Sequence, residues 1–150
     1  MIARPTPRST LIAVCAALLV VISAAEARDT RLRLPISEAL NNANAKAQLD
    51  SSVKLFFGPQ AHPKAAKSYG VVTTNKKTNF FNKSDKEGCE WAFLSAMLAL
   101  QDRARREGGD AVVNIRSVYR GADLASETEY ECGAGTMVGG VSFSGEIVKL

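Results

Sequence analysis

"KSDKEGCEWAFLSAMLALQDRARREGGDAVVNI", residues 83–115, carries the longest regular pattern in the chain. Phe93, Met97, Leu100 and Ala104 recur at helical spacing with Trp91, Leu94 and Leu98 beside them, so a wide apolar face has to pack on something. Both ends of this helix are written into the residues. Ser84 with Glu87 makes a capping box, in which each side chain can satisfy a backbone N–H of the first turn. Arg103, Arg105 and Arg106 suit the negative helix end, and Gly108-Gly109 supply the backbone freedom to stop it. Val113 and Ile115 then alternate with Asn114 and Arg116, the period of a half-buried strand.

Outward from this helix the patterns are short. Pro35 to Leu49 places Ile36, Leu40 and Ala43 at helical spacing and predicts a short helix, weakened by Asn41, Asn42 and Asn44. Val53 to Phe57, stopped by Gly58-Pro59, and Tyr69 to Thr74 read as strands. Asn75 to Gly88 reads as a polar loop. In "SETEYECG" the alternation sets Thr128, Tyr130 and Cys132 on one face and Glu127, Glu129 and Glu131 on the solvated other. "GAGTMVGG", from Gly133, lies between two strands and opens no helix, so a turn or bulge is expected there and not a phosphate loop. In the last strand Val141, Phe143 and Ile147 share the core face, with Ser142 and Ser144 on the exposed side. The expected fold is α+β, a small, mostly antiparallel sheet covered by one long helix.

Compartment follows from the N-terminus. Arg4 and Arg8 precede an apolar run from Leu11 to Ile22 and an Ala25-Glu26-Ala27 cleavage pattern, so residues 1–27 read as a secretory signal and 28–150 as a single exported domain, periplasmic or secreted. The run is short of the roughly 20 residues a spanning helix needs, so no transmembrane span is expected once the signal is removed. Cys15 goes with the signal. Its predecessor Val14 is not the small residue that a lipid-modified cysteine requires. The net charge of +4 is spread along the chain, unlike the dense basic stripe of a nucleic-acid binder.

Cys89 and Cys132 remain, and an even number in an exported protein reads first as a disulfide, here one that staples the helix to the covered face of the sheet. Metal ligation with His62, the single histidine, is the rival, but one His and two distant Cys have no ligand spacing. No metal or cofactor is expected. A Ser-His-Asp set built on His62 lacks any G-x-S-x-G elbow, so no catalytic residue is assigned. The best surface candidate is the basic and aromatic segment Lys76, Lys77, Phe80, Phe81 and Lys83, because cations beside apolar rings suit an anionic surface. Its plainer reading puts the rings in the core and the lysines in water.

The runs "KSDKEGCEWAFLSAMLAL", "ARREGGDAVVNIRSVY", "YECGAG" and "GVSFSGEIVKL" resemble a family of small exported bacterial proteins of unassigned activity, some bearing the label excinuclease ATPase subunit. At longer range, from Cys89 to Cys132, the chain is similar to the periplasmic domain of the stress sensor of the Rcs phosphorelay and to YbjQ-like domains. The excinuclease label is unsupported: G-x-x-x-x-G-K-[ST] is absent, as are zinc-finger cysteine pairs. The expected function is therefore a non-catalytic, envelope-associated binding module whose partner is an anionic envelope component or envelope protein. A metal-handling protein and a weak envelope hydrolase are the competing classes.

Overall fold

Asp85–Glu107 forms the long helix that its caps require. Ser84 Oγ accepts the Glu87 N–H at 3.1 Å, and Gly108 takes the left-handed conformation (φ 87°) while its N–H reaches the Ala104 and Arg105 carbonyls. In this computed structural model, which describes residues 28–150, six strands and two shorter helices surround it. The signal peptide read over 1–27, with Cys15, lies outside the described residues.

The order is β1 (Asp29–Pro35), α1 (Ile36–Asn41), α2 (Ala43–Gln48), β2 (Lys54–Phe57), β3 (Lys67–Asn79), α3 (Asp85–Glu107), β4 (Ala111–Ser117), β5 (Glu129–Gly135) and β6 (Val138–Lys149). The helix expected over Pro35 to Leu49 breaks in two at Asn42, which is extended and whose side chain accepts the Ala45 N–H to start α2.

β6 is the hub. β3 runs antiparallel along its whole length on one edge, while the other edge takes β5 near the start and β4 near the end. β1 extends the sheet beyond β5, antiparallel, and β2 extends it beyond β4. The expectation of a mostly antiparallel sheet needs correction at that edge, because β2 lies parallel to β4 and the sheet is mixed. Ile36, Phe57, Phe93, Met97, Leu100, Ile115, Tyr130, Val141, Phe143 and Ile147 form the core between α3 and the sheet. Phe93 is its centre, with ring centroids 4.7 Å from Tyr130 and 5.6 Å from Phe143.

Several local expectations are also corrected. Asn75 to Asn79 continue β3 and are not loop. In β4 Val113 and Ile115 are buried with Asn114 exposed and Arg116 half-buried, as the alternation requires. A bulge at Asn114 (φ 51°) nevertheless sends them to different clusters: Ile115 and Val112 join the core under α3, while Ala111 and Val113 pack with Val148 in a second, smaller one. Glu131 is 3 % exposed, not solvated, because Arg33 lies 3.5 Å from its carboxylate and Ser117 Oγ holds its N–H. Ser142 is buried as well, since the segment after β4 crosses it and the Val118 N–H bonds its carbonyl at 2.9 Å.

Cys89 and Cys132 form a disulfide with their Cα atoms 5.9 Å apart, both fully buried. Cys89 lies in the early part of α3 and Cys132 in β5. β5 meets β6 only at Gly133↔Gly140 and Ala134↔Gly139. The bridge thus ties the helix to the β1–β5 arm, and not, as expected, to the broad sheet face that the helix covers.

Candidate functional site

The basic and aromatic segment divides at the end of β3. Phe80 and Phe81 go opposite ways: Phe80 is 3 % exposed and Phe81 55 %. The Phe80 N–H bonds the Met137 carbonyl at 2.8 Å, extending the β3–β6 ladder by one residue, and the Lys83 N–H returns to the Phe80 carbonyl at 3.0 Å. Phe81 is thereby the corner of a turn whose next residue, Asn82, takes a positive φ of 58° that Asn tolerates well. Two glycines make the seat for Phe80, since a Cβ on Gly88 of α3 or on Gly139 of β6 would strike its ring. Lys76 and Lys77 are the antiparallel partners of Val141 and Gly140.

Beside this end of β3 lies a groove of about 660 Å³, lined among others by Arg28, Lys77, Tyr119, Arg120, Gly133 and Gly140. Its floor is a consequence of "GAGTMVGG", which folds as the β5–β6 hairpin with Thr136 and Met137 at the corner. A Cβ on Gly133 would collide with the Tyr119 phenol, and one on Gly140 would meet the Lys76 carbonyl and the Lys77 stem. The glycines therefore let the Tyr119 ring and the Lys77 stem lie directly on the sheet backbone beside the groove.

The rim is cationic. Arg28, Lys76, Lys77 and Arg120 line the groove against a single carboxylate, Asp29, which is paired with Arg120. Arg28 is paired with Asp85, at the start of α3. Among the described residues the lysines in ion pairs are Lys86 and Lys149; Lys77 is exposed, and Lys76 and Lys83 are half-buried. Tyr119 stands between two guanidinium groups, Arg31 and Arg120, 5.9 and 5.5 Å from its ring centroid. Arg120 is held at φ 48°, a left-handed backbone uncommon outside glycine and asparagine, and the sort of local strain that collects at ligand clamps. Sequence reasoning found Lys76 and Lys77 but missed Arg28, Tyr119 and Arg120. The glycines of "GAGTMVGG" were the available signal, since a sheet face without Cβ atoms lets a ring such as Tyr119 lie directly on the backbone.

The other candidates fall elsewhere. His62 is exposed, its Nδ1 2.8 Å from the Pro63 carbonyl, and its ring packs against Phe56, away from the disulfide. Among the described residues no group of three or more His, Cys, Asp or Glu side chains is placed to hold a metal ion. The Tyr130 hydroxyl is buried without a partner among the described residues; burial first, then the Glu90 and Glu38 carboxylates, push its pKa up, so it stays neutral. A smaller pocket of about 160 Å³ between Asn42, Asn44, Glu87, Glu90, Trp91 and Leu94 leaves Trp91 half-buried, where a fully core position was expected. Among the described residues no helix is long and apolar enough to cross a membrane. No family model, no curated protein and no solved structure matches the chain.

Proposed function

We propose that the chain is an exported, non-catalytic binding module of the cell envelope that takes an anionic envelope component in the glycine-floored groove. The observation that carries this reading is the rim itself: Arg28, Lys76, Lys77 and Arg120 against the single carboxylate of Asp29, beside the backbone of Gly133, Gly135, Gly139 and Gly140 and the Tyr119 ring that lies over Gly133. Such a site favours a ligand rich in acceptor oxygens, which guanidinium and ammonium groups bind as charge-assisted hydrogen bonds. Export is supported by the apolar run Leu11–Ile22 behind Arg4 and Arg8, and by a buried disulfide of the kind that persists in oxidising compartments.

Titration of the isotope-labelled protein with inorganic pyrophosphate at low salt tests the site. The Gly133, Gly140 and Ser142 amides are expected to shift together, and the shifts to fade as salt rises because exposed charges are screened. K76Q/K77Q is expected to abolish them while leaving the melting temperature unchanged. Millimolar pyrophosphate that moves none of these three amides would remove the groove as a site.

A further inference from the structure

Four large apolar side chains are exposed among the described residues, Val71, Phe81, Met137 and Val138, and three of them meet at one end of the fold. Phe81 is the corner of the turn after β3, Met137 the corner of the β5–β6 hairpin, and the Phe80–Met137 backbone bond holds the two corners together. Val138, 54 % exposed, pairs with Asn79 and also lines the groove. The cations are disposed around this tip: Lys83 closes the Phe81 turn, Lys77 lies two residues before Asn79, and Arg28 immediately precedes β1, whose first residue Asp29 pairs with Gly135 beside the hairpin corner. Acidic side chains near it are already engaged, Asp85 with Arg28 and Asp29 with Arg120.

We infer that this tip docks on the surface of an anionic phospholipid bilayer, with Phe81, Met137 and Val138 entering the headgroup–acyl boundary and a lipid phosphate entering the groove. The inference rests on the groove reading above and adds the source of the anion. Charge complementarity selects the occupant. An apolar protein partner would have to desolvate Lys77, Lys83 and Arg28 around the wedge, whereas an anionic leaflet takes the wedge and the cations together, each lysine strengthening attachment and losing effect as salt rises. The two corners are also stiff, each closed by backbone hydrogen bonds, so little conformational freedom is lost when the side chains enter the interface.

The test is co-sedimentation of the protein with phosphatidylcholine vesicles with and without phosphatidylglycerol, run beside the pyrophosphate titration. Wild-type protein is expected to sediment with the anionic vesicles only. F81S/M137S, which removes exposed side chains, is expected to keep its melting temperature and its pyrophosphate shifts while losing vesicle binding by about tenfold or more. K77Q/K83Q is expected to weaken vesicle binding about thirtyfold. Pyrophosphate shifts without vesicle binding by the wild type would overturn the bilayer inference and leave the groove standing, and F81S/M137S that sediments like wild type would do the same. Loss of both readouts in the wild type would overturn both.

Discussion

Replacing Cys89 and Cys132 together by alanine removes a link whose two ends are 43 residues apart and fully buried. On the chain-entropy account a loop of that length gives about 4 kcal/mol, which is a large part of a total stability near 5–15 kcal/mol. With an unfolding entropy near 2.1 cal/mol/K per residue over roughly 120 residues, the melting temperature is expected to fall by about 15 °C. The loss should also be uneven. The arm made by β1 and β5 meets β6 at only two residue pairs, and the bridge is its covalent attachment to α3. Amide exchange measured by mass spectrometry should therefore rise first in Asp29–Pro35 and Glu129–Gly135, with β4 and the C-terminal half of β6 less affected. A drop below about 5 °C, or exchange that rises equally in β4 and in the arm, would refute the reasoning.

Other predictions follow from single side chains. Phe80→Ala empties the seat between Gly88 and Gly139 and is expected to cost about 3–5 kcal/mol, whereas Phe81→Ser should stay within about 0.5 kcal/mol, both read from denaturant midpoints. Asp110 accepts from Lys149 Nζ at 2.7 Å and from the Leu150 N–H at 2.8 Å, and these bonds, the lysine first, hold its pKa below the ordinary 3.8. A lowered folded pKa means stability present above pH 3.8 and lost as the pH falls through the folded value, so wild type should lose its advantage over D110N in melts taken from neutral pH down through that window.

What was legible in the sequence and what was not divide along a physical line. Ser84 and Gly108 mark the ends of α3 by local chemistry, capping and a left-handed backbone, and such chemistry is visible without knowing the partner. Phe93, Met97 and Leu100 mark its buried face by period alone. Asn75–Asn79 was hidden because this part of β3 has no strand on its outer edge among the described residues and needs no apolar alternation to be paired. Glu131 and Ser142 were misplaced for the opposite reason: remote segments, Arg33 and the crossing at Val118, cover faces that alternation assigns to water. The parallel β2–β4 pairing depends on chain reversal through α3 and has no local signature. Of the groove, the lysines were readable as charge, but Arg28, Tyr119 and Arg120 are brought to it by β1 and by the turn after β4, segments far from Lys77 in sequence.

β6 holds three strands apart in sequence, and it comes last. A ribosome or a translocation pore that has released residues 28–137 has released β1 to β5 and all three helices, yet not the strand to which β3, β4 and β5 attach. Until Val138–Lys149 emerges, the apolar face of α3 has no completed sheet to cover and the central ladder cannot form. Such non-local closure makes folding slow and late compared with a helical bundle. Truncation within the last strand should therefore not trim the fold but prevent it.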